Sequence, residues 1–258
     1  MLGFAKYIYG NNTTFKYAKG KSIEDGKEFH SFYEIIYFID GNAEFISEDI
    51  SVKLKPRSII LIPKERYHQF IFKENDSYQR CTFNFSKTDA TAPLLDACFA
   101  RINIINSTKQ TEFLFQTIMN LLENEQNEKI KATVMTSTLT LILYILSEAP
   151  KNEIKSNCFH HITEQSLEFI DIHLKENITL CDIATTLNIS VSTLSHTFKR
   201  DMKIPIYKFI QKKRLITASH LISEGVPSTV AAADCGFADY SGFYRQYKAM
   251  FEHSPSDE

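Results

Sequence analysis

One spacing pattern occurs twice in the last third of the chain, and it restricts the fold more than any other feature. The first copy runs Ala184-Thr185-Thr186-Leu187-Asn188-Ile189-Ser190, followed by Leu194, Phe198 and Lys199. The second runs Ala232-Ala233-Asp234-Cys235-Gly236-Phe237, followed by Asp239, Ser241, Phe243, Tyr247 and Lys248. In each copy a small Ala lets one helix cross another closely, and four residues later Asn188 or Gly236 supplies the positive φ of a tight turn. Leu194 with Phe198, and Phe243 with Tyr247, are then i,i+4 pairs on the buried side of the next helix. Each copy therefore reads as a helix-turn-helix, with motifs at about 180–200 and 228–250. The second helix of such a unit is the one that enters a DNA major groove. The second copy is one residue longer, which marks a diverged repeat with its own contacts.

Charge supports this reading only when it is resolved along the chain. The net charge of −2 is unsuited to polyanion binding as a whole. Between Ser190 and Met250, however, nine Lys/Arg (199, 200, 203, 208, 212, 213, 214, 245, 248) stand against four acids (201, 224, 234, 239). A local surplus of cations is what phosphate contact requires; a solvated helix face is the alternative. Across 258 residues, 43% are apolar and 12% aromatic, enough for one large or two ordinary cores. The five cysteines (81, 98, 158, 181, 235) contain no C-x-x-C pair, so neither a disulfide framework nor a zinc finger is expected. The N-terminal residues lack a signal-peptide pattern, and the longest apolar stretch, near 139–146, is too short to span a bilayer. A soluble cytoplasmic protein without membrane association is the expectation.

Upstream of the repeat the periodicity changes. Residues 33–39, 43–46, 51–54, 58–62, 69–72 and 79–85 read as strands punctuated by Asp40-Gly41-Asn42, Lys55-Pro56 and Pro63-Lys64. Short strands at regular spacing predict a sandwich or barrel. Helical spacing follows at 112–123 and 128–147, the second with Ile130, Val134, Leu141 and Ile145 as its apolar stripe. Residues 151–157 then read as a polar linker. Within the repeat region, Thr179 with Asp182 forms a capping box, and Ser190 can cap the helix after it. After Pro205, residues 206–222 form one connecting helix with Phe209, Ile210, Ala218, Leu221 and Ile222 as its stripe. At ~1.5 Å per residue it is about 25 Å long, suited to readers in adjacent major grooves about 34 Å apart.

The segment from about 162 to 255 resembles the DNA-binding domain of the AraC/XylS family of bacterial transcription regulators. The resemblance rests on Ile183-Ala184, Ser190-x-x-x-Leu194, Phe198-Lys199, Arg214-Leu215, Ala218, Gly236-Phe237-Ala-Asp239, Ser241-x-Phe243 and Ser254-Pro255. The chain departs from the family at Lys203 and Glu252, where Gly usually follows each reader helix. A left-handed cap there costs about 1 kcal/mol unless another turn replaces it. Ala231 stands for a larger aliphatic residue, which predicts looser packing of the second motif. The sequence also stops three residues after Pro255, before the family's usual aromatic-Arg ending.

With Leu194 and Phe198 inward, helical phase turns Ser192, Ser195, His196 and Lys199 outward. Tyr240, Ser241, Tyr244, Arg245 and Lys248 face outward on the second reader by the same phasing. Ser190, Thr193 and Arg200 complete the expected DNA-contacting set. Arg245 is the foremost base reader, because a guanidinium can pair with guanine O6 and N7; His196 stands where the family often has Arg. Sequence discrimination is expected to lean on the second copy.

The first region resembles the cupin-type sensor domain common in this family, through His30-x-x-x-Glu34, Gly41, Pro56, Pro63, His68 and Arg80. Strand alternation places His30, Phe32, Glu34 and Ile36 on one face, with His68, Phe70 and Phe72 on another strand. The effector pocket is assigned to His30, Phe32, Glu34, His68 and Arg80, and it suits a small polar effector such as a sugar. Two His and a Glu could instead hold a divalent metal, or be structural. The H-x-H pair and the P-x-G-x-x-H segment of enzymatic cupins are missing, so neither metal nor cofactor is expected.

The resulting expectation is a multi-domain α and β protein. An N-terminal cupin-like β-barrel (1–90) is followed by dimerisation helices (91–150), a linker (151–160) and a C-terminal all-α domain with two helix-turn-helix motifs (161–258). Its implied role is that of a sequence-specific transcription regulator and activator, not an enzyme. Its implied partners are double-stranded promoter DNA, a small-molecule effector, a second copy of the chain and RNA polymerase. A metal-dependent cupin enzyme with an accessory helical domain is the rival reading.

Overall fold

A computed structural model describes residues 4–10, 12–21, 26–72, 77–150 and 159–257. Most of the predicted linker, and Cys158, lie outside the described residues. The chain forms two compact units, residues 1–27 with 32–156 and residues 28–31 with 157–258.

The first unit is built on two antiparallel sheets. The larger contains β1 (Phe4–Gly10), β2 (Thr13–Lys21), β4 (Tyr33–Gly41), β7 (Ser58–Ile62), β9 (Ser77–Phe85) and β10 (Asn103–Asn106), in the order β1-β2-β9-β4-β7-β10. The smaller has the order β3-β8-β5-β6, from β3 (Gly26–Glu28), β5 (Ala43–Ser47), β6 (Ser51–Lys53) and β8 (His68–Phe72). All six strands expected from the sequence form. The alternation that defined them also divides the larger sheet between two cores. Ile36, Phe38, Ile60 and Ile62 turn toward Phe45 and Phe70 of the smaller sheet. Ile35, Tyr37, Ile59, Leu61, Cys81 and Phe83 turn the other way, onto helices. Because both faces are covered, β7 is buried along its whole length and lacks a polar face.

The covering helices are α1 (Ala92–Phe99), α2 (Lys109–Asn124) and α3 (Glu128–Ser147). The segment 91–150 is not all helical, since β10 within it pairs with β7. The α3 residues that meet the sheet also differ from the expected stripe. Met135, Leu139, Ile142, Leu143 and Leu146 are buried, whereas Ile130 and Leu141 are exposed. At 20 residues α3 is long and apolar enough to cross a membrane by length and composition, contrary to the sequence expectation. Its buried side belongs to the core it shares with the sheet.

The second unit contains α4 (His161–His173), α5 (Leu180–Thr186), α6 (Val191–Met202), α7 (Ile206–Ser223), α8 (Ser228–Asp234) and α9 (Tyr240–Phe251). The predicted Thr179–Asp182 capping box is present on α5. The turns of both motifs are left-handed as expected, with φ of 53° at Asn188 and 76° at Gly236. Lys203 and Glu252 take the same conformation, at φ 55° and 66°, so this chain keeps the helix-ending turn without glycine. Ala231 is fully buried against Leu215, Phe243 and Tyr247.

Candidate functional site

The two reader helices are α6 and α9. Their inner faces are fixed by the pairs named from the sequence, since Leu194, Phe198, Phe243 and Tyr247 are all fully buried. Phe198 meets Phe209 of α7 edge-on, with ring centroids 5.4 Å apart. The opposite faces carry the expected contact residues. Ser192, Thr193, His196, Lys199, Arg200, Tyr240, Ser241, Arg245 and Lys248 are exposed, and Ser195 and Tyr244 are half-buried.

Some of these groups already have internal partners. Ser190 Oγ accepts from Thr193 N at 3.0 Å as the N-cap of α6, and it lies 2.9 Å from Thr193 Oγ1. Tyr240 Oη is 2.9 Å from Ser228 Oγ. Arg200 Nε donates to Asp201 Oδ1 at 2.9 Å, while Thr163 Oγ1 and the backbone N–H of His160 donate to Oδ2. Among the described residues no ion pair engages Arg245, Lys199 or Lys248, so these cations are open to phosphates or base edges. The segment's charge surplus also shrinks once it is folded. Arg214 is buried, and Lys213 is paired with Asp171.

Arg214 was identified in the sequence only by family resemblance, yet it ties the segment between α4 and α5 to the turn of the second motif. Its guanidinium donates to Leu174 O at 2.9 Å, to Gly236 O at 3.1 Å and to Glu176 O. Gly236 is needed there twice over. A Cβ at that position would lie 3.1 Å from the guanidinium, and its φ disfavours any side chain. Asp239 was likewise not assigned to the site, although it caps α9 by accepting from Gly242 N at 2.6 Å. The signal for it was an acid immediately before a helical run.

Of the expected pocket residues, Glu34 and His68 lie together and Arg80 lies apart from them. β4 begins at Tyr33, so Phe32 precedes the strand, and His30 belongs to the second unit. The backbone bends at Ser31 and Phe32, just ahead of the strand. Glu34 and His68 do meet inside the barrel, with His68 Nε2 3.0 Å from Glu34 Oε2, both deeply buried. His68 Nδ1 faces Arg66 O at 3.2 Å. Asn84, with its amide turned to satisfy its neighbours, donates to Glu34 Oε1 at 3.2 Å. Arg80 lies four residues along β9 from Asn84, about 13 Å at ~3.3 Å per residue. Its Cζ is 4.7 Å from the Phe70 ring centroid and 5.5 Å from that of Tyr78. The barrel interior thus has two polar ends, separated by Ile36, Phe45 and Ile60.

Residues 22–135 match a family model described as an AraC-like ligand binding domain, and residues 183–257 match one described as a helix-turn-helix domain. The HTH-type transcriptional regulator YfiF of Bacillus subtilis is 24% identical over 251 residues, 88% of this chain and 76% of that protein. The probable transcriptional regulator LumQ of Photobacterium leiognathi is 23% identical over 233 residues, 88% of this chain and 89% of that protein. The crystal structure of ToxT from Vibrio cholerae aligns with 99% of this chain and 95% of its own, at 14% identity and a TM-score of 0.42. A ligand-binding sheet domain and a double helix-turn-helix domain in one chain define a ligand-responsive DNA-binding regulator. The chain belongs to the AraC family of transcription regulators.

Proposed function

We propose that the chain binds promoter DNA sequence-specifically as a homodimer and activates transcription in response to a small polar effector held in the barrel. The observation that carries this reading is the pair of capped helices, α6 and α9, presenting polar and cationic faces to solvent on either side of α7. At 18 residues α7 is about 27 Å long, a separation compatible with two successive major grooves. Arg245 is the principal base reader. Lys199 and Lys248 contact phosphates, Ser192, Ser195, Ser241 and Tyr244 lie against the groove, and His196 makes a weaker base contact. Ser190, Thr193 and Tyr240 shape the helix starts and contact the backbone, and Arg200 contributes while paired with Asp201. Discrimination leans on α9.

Dimerisation is assigned to the outer face of α3. Ile130, Thr133, Ser137, Leu141 and Tyr144 are exposed and follow one another at intervals of three and four residues. That is the spacing of a helix–helix seam, and Leu141 and Tyr144 are 53% and 57% exposed. Effector binding then shifts an equilibrium between dimer states that differ in DNA affinity. Recruitment of RNA polymerase and a cytoplasmic location complete the reading. The test is an affinity measurement on the chain's own promoter. Arg245→Ala weakens binding by about 1–3 kcal/mol on the specific site and far less on scrambled DNA. Equal affinity of the unmodified protein for both DNAs at physiological salt defeats the proposal.

A further inference from the structure

We propose that the Arg80 end of the barrel is an anion site, and that the effector carries a carboxylate which Arg80 binds. The inference deepens the reading of the first unit as an effector domain and rests on it.

Three observations converge on Arg80. First, its guanidinium lies over Phe70 and beside Tyr78, with Phe72 stacked on Tyr78 at 4.6 Å between ring centroids. Aromatic faces hold the cation in place, but they accept none of its N–H hydrogen bonds in the guanidinium plane. Second, Arg80 Nε is buried with no hydrogen-bond acceptor among the described residues. A buried, unsatisfied charged donor costs free energy that a bound oxyanion recovers. Glu44 of the smaller sheet has a partner of its own, its Oε1 accepting from Ser51 Oγ at 2.9 Å.

Third, the sheet is thinned beside this end. Tyr78 is flanked in register by Gly20 on β2 and Gly41 on β4, and Arg80 by Ala18 on β2. A side chain at Gly41 is excluded, because its Cβ would lie 2.9 Å from Ser77 O and 3.1 Å from Tyr78 Cβ. The Gly41 side is thus filled by Ser77 and Tyr78 themselves, while Gly20 and Ala18 put no large side chain beside Tyr78 and Arg80 on the β2 side. A planar guanidinium pairs with a carboxylate through two parallel N–H···O bonds. The rings of Phe70, Phe72 and Tyr78 then cover the ligand body. The Glu34–His68–Asn84 end, about 13 Å away by strand geometry, already holds the carboxyl group of Glu34.

Matched probes test this on the full chain: benzoate against benzamide, glucuronate against glucose, and inorganic phosphate as a separate arm, each followed by thermal shift. The expected result is that at least one organic acid raises the melting temperature saturably, while its neutral counterpart binds at least about tenfold more weakly. Arg80→Gln then loses about ten- to a hundredfold in affinity for that acid, and Arg80→Lys retains part of it. A response to phosphate but to neither organic acid overturns the carboxylate assignment. So does equal binding of acid and neutral partner, no response to any acid, or an undiminished response in a folded Arg80→Gln protein. If these acids fail while promoter binding stands, only the inference falls. If promoter binding fails, the regulator reading falls independently.

Discussion

Replacing Arg214 by Met should loosen the DNA-binding unit without touching a contact residue. The side chain is only 9% exposed and closes three hydrogen bonds, to the carbonyls of Leu174, Glu176 and Gly236. Burial lowers its affinity for the proton, yet a guanidinium stays charged throughout the accessible pH range. Met fills similar volume but donates nothing, so three carbonyls lose their donor at about 1–3 kcal/mol each. Water reaching some of them brings the sum to about 3–5 kcal/mol. Native-state hydrogen exchange reads the loss locally, with the sheet amides of β4 and β7 as internal reference. A fall of ~3 kcal/mol accelerates exchange about 150-fold in α5 and α8. Arg214→Lys, with a single compact charge, should recover part of it. Exchange changed by less than about tenfold in the Met variant would refute the reasoning that Arg214 clamps the α4–α5 segment to the second motif.

Three further outcomes follow from the geometry. Lys203→Gly and Glu252→Gly each relieve a left-handed non-glycine cap and should stabilise the second unit by up to about 1 kcal/mol in urea titrations. The Asp182 carboxyl is held below its ordinary value by hydrogen bonds from the Thr179 hydroxyl and backbone N–H. The stability it gives α5 is present above the ordinary value of about 3.9 and is lost as pH falls below it. Amide exchange in α5 should therefore accelerate selectively in acid, and the Asp182→Asn protein should lack that step. Leu141→Glu, on the exposed face of α3, should shift the sedimenting species from dimer toward monomer while leaving the fold intact by circular dichroism.

The parts of the molecule legible in the sequence are those set by local pattern. The 3.6-residue period, the caps at Thr179 and Ser190 and the left-handed positions at Asn188 and Gly236 are decided within a few residues, and all appear as expected. Six strands were legible for the same reason. What register decides was not. Glu34, His68 and Arg80 share the barrel interior, but strand pairing sets Arg80 opposite Phe38, far from Glu34. The two sides of α3 could not be told apart either, because Ile130 and Leu141 are as apolar as the residues that cover the sheet. Arg214 reads in sequence as one more surface cation, and only the convergence of three carbonyls from distant segments reveals its role.

The central claim is that α6 and α9 read DNA together. Hydroxyl-radical and methylation footprinting of the full chain on its promoter tests it most directly. The account predicts two protected major-groove windows per protomer, about one helical turn apart, with Arg245→Ala erasing base protection in the α9 window alone. A single window, or protection that survives scrambling of the sequence, would contradict it.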